Sequence, residues 1–453
     1  MMVAVMLIMS ILEMLIIYAL RKDIISPSFV FAAVFVVAEI NLLTNVSTLH
    51  VSLSIDTVLV VTGGILFFAL GCLFARKAFF KEVHVANTEI DCQVPITLNF
   101  WHYIGLLGFN VVSIFYILNE VYQMTVTKAY YSGNVLGSLS VYAEVSKFQD
   151  IDMKVSRIST LLTALCEAEA YVFSYVLAKN IVYKNKLNKM ELLCFATAVL
   201  STFCQGSRGG VWIIISMIFI SLMLYREKTG KKSISIKWIG KIIFVIIIAV
   251  LVFQLTGMAT GKVWDVSFYE YFSVYLGNPI LNLDTAMKEG IVKTPIWGRL
   301  TFSPLINKFF PIFGLTVPTY KNLRQFRYTT DGHNLGNVYT IFAPLMADFG
   351  IIGMLIALFI IGFICTYIYN IASKTTNKII AVSKILYGYT ITNIGFSFFS
   401  NKFCENISVY HMYVFVFAVI FSMGFTRITL RNNRRGLKKC TSTNKPYFKG
   451  GNA

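Results

Sequence analysis

Long apolar runs separated by short charged links set the pattern of this chain. It opens on "MVAVMLIMSILEMLIIYAL", and the links that follow are basic: "RKD" (21–23), "RKAFFK" (76–81), "KNIVYKNK" (179–186), "REKTGKKSISIKWIGK" (226–241) and "SKTTNK" (373–378), with a tail "RITLRNNRRGLKK" (427–439). The runs are about 17 to 22 residues long, which at 1.5 Å per helical residue matches a bilayer core. They predict helices over 2–20, 27–44, 56–75, 97–118, 158–178, 191–206, 209–225, 239–258, 350–371, 379–400 and 407–426. That is about eleven spans. The first run has neither a basic leader nor a small-residue cleavage site, so a retained span is expected in place of a signal peptide.

The expected fold class is therefore an all-α polytopic integral membrane protein, one membrane domain over 1–453. Its basic links alternate with the spans in one phase, and the positive-inside rule puts all of them in the cytoplasm. The N-terminus then faces out and the basic tail, 427–453, faces in. Two long loops face outward, 120–157 and 259–349. A loop of roughly ninety residues is more often functional than idle.

Composition agrees with the pattern. The 453 residues are 56% hydrophobic and 14% charged, where soluble proteins carry about a quarter charged. The net charge of +18 would suit nucleic acid, but its placement in short links between spans assigns it to topology and leaves no nucleic-acid partner. Eight scattered cysteines without a CxxC pair read as packing residues, not as a disulfide framework or a metal site. Walker A, HExxH and GxSxG patterns are absent, so ATP hydrolysis, zinc proteolysis and hydrolase-elbow chemistry have no support. No internal repeat appears, which weakens an inverted-repeat transporter.

Some charges run against this grain. "CQGSRGGVW" (204–212) places Arg208 between two apolar runs, at an outward hairpin where a helix begins. A helix N-terminus, a Ser207 cap, glycines 206, 209 and 210 and a fork-shaped guanidinium make an anion cradle at headgroup depth. An ordinary turn whose arginine snorkels to lipid phosphate is the competing reading. Residues 291–330 then carry Lys293, Arg299, Lys308, Lys321, Arg324 and Arg327 with no acid. On a helical turn Arg324 and Arg327 would share a face. The stretch calls for an anionic partner, with membrane-lipid headgroups as the plainer one. Immediately after it, "DGHNLGNVYTIFAPLMADFGIIG" (331–353) supplies His333, Asn334 and Asp348. An imidazole can take a proton from a sugar hydroxyl, and adjoining positive charge favours its neutral form. Asp348 can cap a helix or orient a base or a sugar hydroxyl. Glu13, Glu39, Glu167 and Glu169 lie inside spans, where acids are costly and often functional; the last two cannot face one site from one helix. "DID" (150–152) imitates a metal-binding DxD without a nucleotide-binding pattern around it.

With "LRKDIISPSFVF", "GSRGG", "YFSVYLGNPILNLD" and "HN" followed by "LMADFGIIG" in this order, the chain resembles the Wzy-type O-antigen (oligosaccharide repeat-unit) polymerases. Lipid-A–core O-antigen ligases share that plan. The resemblance implies a GT-C-like glycosyltransferase in the bacterial inner membrane, active at the periplasmic face without metal, cofactor or nucleotide sugar. Donor and acceptor would both be oligosaccharides on undecaprenyl diphosphate, with a chain-length regulator as a further partner. It also implies diphosphate-binding roles for Arg208 and Arg299 and acceptor activation by His333; Asn334, beside it, is expected to contact substrate. Arg324 and Arg327 enter from charge alone. A flippase of the same lipid-linked unit, or a non-catalytic partner that governs chain length, are the rival expectations.

Overall fold

The computed structural model describes residues 1–79, 95–148, 151–184, 187–205, 208–228, 268–291, 293–317, 325–374 and 378–443. The expected span 239–258 lies outside the described residues, as do Ser207, Lys321 and Arg324. Seven described helices are long and apolar enough to cross a membrane. The expected spans 191–206, 209–225 and 379–400 appear as the helices Lys189–Phe203, Arg208–Lys228 and Val382–Gly395. The protein is an all-α membrane protein whose chain divides into two compact units: Met1–Thr88, Ile234–Thr375 and Ser383–Tyr413 form the first, and Glu89–Ser233, Thr376–Val382 and Val414–Ala453 the second.

In the first unit, α1 (Met2–Arg21), α2 (Pro27–Thr44) and α3 (Ile55–Phe79) form the early helices. The α3 helix runs parallel to a later one, Phe342–Lys374. Lipid tails are as apolar as leucine, so helices in a bilayer associate through close packing and not through removal from water. Glycine supplies the closeness here. A Cβ on Gly71 would lie 2.0 Å from the Phe359 carbonyl oxygen, and one on Gly362 would lie 2.2 Å from that of Phe68. Around this contact Phe31 stacks on Phe68 at 4.1 Å, and Phe35 meets Phe342 at 5.0 Å.

The ends of this unit sort by charge. Asp23 accepts a hydrogen bond from Tyr369 at 2.6 Å, which brings the Arg21–Asp23 link to the C-terminal end of the Phe342–Lys374 helix. Because α3 runs parallel to that helix, Arg76 and Lys77 lie at the same end. At the opposite end, the segment after residue 267 packs on the α2–α3 connection.

The second unit contains α4 (Phe100–Lys128), α5 (Val135–Phe148), α6 (Arg157–Lys184), α7 (Lys189–Phe203) and α8 (Arg208–Lys228). The region 120–157, expected as a loop, is largely helical: α4 continues to Lys128 and α5 folds back on it. Leu139, Tyr142 and Val145, three apart, form one face of α5 and cluster with Ile117 and Val121 of α4. Two buried acids of this unit, Glu169 and Glu191, have partners from other helices. Glu169 accepts from Asn110 Nδ2 at 3.1 Å, and Glu191 accepts from Tyr103 at 3.1 Å and Asn180 at 2.9 Å. Glu167 accepts from Tyr171 on its own helix, and Glu169 from Asn110 on α4, so the two acids of "CEAEAY" bond to different residues.

Candidate functional site

In the first unit, residues 268–341 build a small platform. It consists of α9 (Phe268–Leu276), α10 (Asn278–Glu289), α11 (Ser303–Phe309) with a 3-10 turn at Phe310–Phe313, and a hairpin of β1 (Arg327–Tyr328) and β2 (Asn334–Gly336). The helix α12 (Phe342–Lys374) follows; it breaks at Gly350, whose φ of 70° with ψ of −179° no helix contains. The chain then continues through α13 (Val382–Gly395), α14 (Lys402–Glu405) and α15 (Val409–Thr443).

The motif "YFSVYLGNPILNLD" positions the platform. Gly277, between α9 and α10, presses on α2: a Cβ there would lie 2.7 Å from Asn41 Oδ1 and 2.8 Å from the Leu42 nitrogen. Only glycine fits. Asn41 and Asn45 each donate to Ser273 Oγ, at 3.1 and 3.2 Å. Further along α10, Asn282 Nδ2 donates to the carbonyls of Leu335 at 2.9 Å and Val338 at 3.0 Å, holding the hairpin against the helix. Asp284, buried, accepts from the Ser54 amide and hydroxyl, from Thr57 Oγ1, and from Lys288. Burial opposes its ionisation, but the hydrogen bonds from Lys288, Ser54 and Thr57 outweigh that and hold its pKa below the usual aspartate value.

Between α9, the end of α2 and the hairpin tip lies a cleft of about 230 Å³. His333 and Asn334 form one wall; Glu270, Ser273 and Asn278 form another, with Asn45 and Thr48 at the α2 end. His333 Nδ1 lies 3.8 Å from Glu270 Oε1, and both side chains are about a third exposed, at 35% and 34%. The tip itself is a tight turn. Gly332 at φ 85° donates to the Thr329 carbonyl, and Thr329 and His333 exchange backbone and hydroxyl bonds across it. Asp331 in the same turn pairs with His50 at 3.3 Å.

The sequence-predicted residues fare differently. His333 and Asn334 line the cleft, and among the described residues the charged partner at His333 is the Glu270 carboxylate. Arg327 is in a strand and not on a helical turn, because the Asp331–Gly332 turn folds 327–336 into a hairpin. Its guanidinium is engaged by Glu289 through both terminal nitrogens and by Tyr339 Oη at 2.9 Å. Arg327 is thus a strut between hairpin and α10. Arg299 is buried at 7% exposure. Asp348 accepts the Leu300 amide at 3.0 Å, the Thr301 amide at 2.7 Å and Thr294 Oγ1 at 2.6 Å, pinning the turn that carries Arg299. Among the described residues no hydrogen bond joins Asp348 to His333. Arg208 opens α8 in the second unit, and its side chain lies outside the described residues. Around Gly209 and Gly210 an added Cβ meets no atom of the described residues within 4 Å.

Glu270, Ser273, Asn45 and Asn278 were not among the residues singled out from sequence. Glu270 had one visible signal, being the single acid in the aromatic run "FYEYFSVYL". Nothing local marks Asn45, which reaches the cleft from more than two hundred residues away. Chemically the cleft sets the amides and hydroxyls of Asn45, Asn278, Asn334 and Ser273, with an imidazole–carboxylate pair, among apolar surface from Leu49 and Val274, a lining in which a few polar groups orient a ligand. Among the described residues no group of three or more His, Cys, Asp or Glu side chains could hold a metal ion. The fold and cleft define the class, an all-α membrane protein with a cleft at one end of a helical unit that carries an imidazole–carboxylate pair. No family model, curated protein or solved structure matches the chain.

Proposed function

We propose that this protein is a membrane glycosyltransferase that joins lipid-diphosphate-linked oligosaccharide units into a longer glycan at the periplasmic face of the bacterial inner membrane. The carrying observation is the cleft in which His333 stands 3.8 Å from Glu270 among Asn45, Asn278, Asn334 and Ser273. The resemblance to Wzy-type polymerases, set by ordered motifs that include the segments building this cleft, supports the same reading.

In this reading the acceptor sugar lies in the cleft with its hydroxyl toward His333. The imidazole takes the hydroxyl proton as oxygen attacks the anomeric carbon of the donor. The new C–O bond forms, the bond from that carbon to the lipid diphosphate breaks, and the diphosphate leaves with the electron pair. Glu270 orients the imidazole and balances the positive charge it gains. Arg299, in the same unit as the cleft, is the candidate for stabilising the departing diphosphate, since fixed guanidinium groups gain most where negative charge develops, and for Arg208 the resemblance alone implies a diphosphate role. Arg327, already paired, has no such role.

Deletion of the gene and sizing of the surface glycan tests this reading. A single capped repeat in place of a ladder is the expected result; loss of every repeat points to a flippase, and an unchanged ladder removes the proposal. Arg208→Ala should stop chain growth at unchanged protein level, with Arg208→Lys restoring little, because a point charge does not replace a bidentate fork.

A further inference from the structure

Away from the cleft, the same unit carries a surface with no place on a solvated loop. Trp297 is 79% exposed, Ile312 65%, Phe313 74% and Leu315 53%. Residues 293–317 include exposed Lys293 and Lys308 and no acid. We propose that residues 297–315 form an in-plane membrane element, seated at the boundary between headgroups and acyl chains of an anionic phospholipid bilayer.

The position of the patch supplies the argument. Asp348 and the Ala347 carbonyl hold Thr294, Leu300 and Thr301 to α12, and this brings the Trp297 ring edge-on to Phe349 at 4.7 Å. One residue later Gly350 breaks the helix, and the long apolar part of α12 begins with exposed Ile351 and Ile352, continuing through Ile356 and Ile360. Trp297 therefore stands where a lipid-facing stripe starts, the level at which indole rings collect in membrane proteins. The following chain is shaped to lie flat. Pro304 opens α11, Pro311 turns it into a 3-10 segment, and Gly314 at φ 68° ends it, so Phe309, Ile312, Phe313 and Leu315 stay on the surface beside Lys308. Apolar side chains with lysines and no acid make the pattern of an interfacial anchor. Charge also separates the possible occupants. A second copy of this patch would bring lysines against lysines, whereas anionic headgroups attract them. The consequence is mechanical: the membrane holds the 294–317 chain at a fixed depth, and through Asp348 that depth is tied to the start of α12.

Depth-resolved quenching tests it. The full chain is reconstituted into phosphatidylcholine–phosphatidylglycerol vesicles whose lipids are brominated either near the glycerol end or near the chain terminus. The Trp297 signal is read as the difference between the parent and Trp297→Phe. The expected result is quenching at least about twofold stronger by the shallow bromines than by the deep ones, with little effect of aqueous iodide. Phe313→Trp in the Trp297→Phe background should show the same order, which keeps the test valid if either substitution alone perturbs its surroundings. Quenching by iodide and not by brominated lipid, at both positions, overturns the proposal. So does lipid quenching that appears only when the protein is diluted into excess lipid, because a second copy then covers the patch.

Discussion

Glu289 at the end of α10 receives both terminal nitrogens of Arg327, Nη1 on Oε1 at 2.7 Å and Nη2 on Oε2 at 2.5 Å. A guanidinium held this way is a structural tie. The Arg327 hydrogen bonds hold the Glu289 carboxyl below the usual glutamate range. A carboxyl whose folded pKa is depressed stabilises the fold above its unfolded pKa, about 4.3, and loses that contribution as pH falls through the folded value. Melting in detergent should therefore separate the parent from Glu289→Gln at neutral pH, with the gap closing below about pH 4. Glu289 is 58% exposed, so the gap should be small. A gap that persists unchanged into acid would show that the carboxylate charge contributes nothing.

His333 is expected to dominate chain growth. General base catalysis contributes about 10²–10⁴-fold, so His333→Ala should reduce elongation by that order in membranes of equal protein content. Glu270→Gln should reduce it less, because the base survives and only its partner changes. Sizing of lipid-linked glycan in vitro gives both values, and parental elongation by His333→Ala excludes the imidazole as base.

Asp348 holds two backbone amides and one hydroxyl within a buried turn. Each buried donor left without an acceptor costs about 1–3 kcal/mol. Asp348→Ala should therefore loosen residues 294–301 more than it lowers global stability. Limited proteolysis read by mass spectrometry would find new cleavage in that turn. Asp348→Asn, which keeps one acceptor oxygen, should lie between the two. Equal protection of the turn in parent and Asp348→Ala would mean that other contacts hold it.

The parallel packing of α3 on α12 depends on glycine. A Cβ at Gly71 or Gly362 would meet backbone carbonyl oxygen at 2.0 or 2.2 Å, and a backbone cannot rotate aside as a side chain does. Overpacking of this kind costs typically about 1–3 kcal/mol. Gly71→Leu and Gly362→Leu should each lower the melting temperature in detergent, whereas Gly424→Leu, where a Cβ meets nothing within 4 Å, should not. Equal melting of all three would show that the helices separate at no cost.

Much of the helical architecture could be read along the chain. The run 27–44 is an α-helix with those bounds, and the expected start of a span at residue 350 falls on the Gly350 break. Both follow from local properties, apolar length and the conformational freedom of one glycine, which the sequence states directly. Residues 120–157 show where that reading fell short. Polar interruptions there suggest a loop, whereas Leu139, Tyr142 and Val145 at helical spacing mark the buried face of α5.

The cleft was legible only in fragments. His333 and Asn334 stood out as chemistry-bearing residues, but their walls did not, because Asn45 and Ser273 meet across 228 positions. The roles of Arg327 and Asp348 were decided by partners 38 and 48 residues away, Glu289 and Leu300. Sequence specifies how much charge and how many donors a segment brings. Whether a guanidinium stays available to a ligand or is spent on a neighbouring carboxylate depends on which distant group folding carries within about 3 Å of it, and local pattern has no term for that distance.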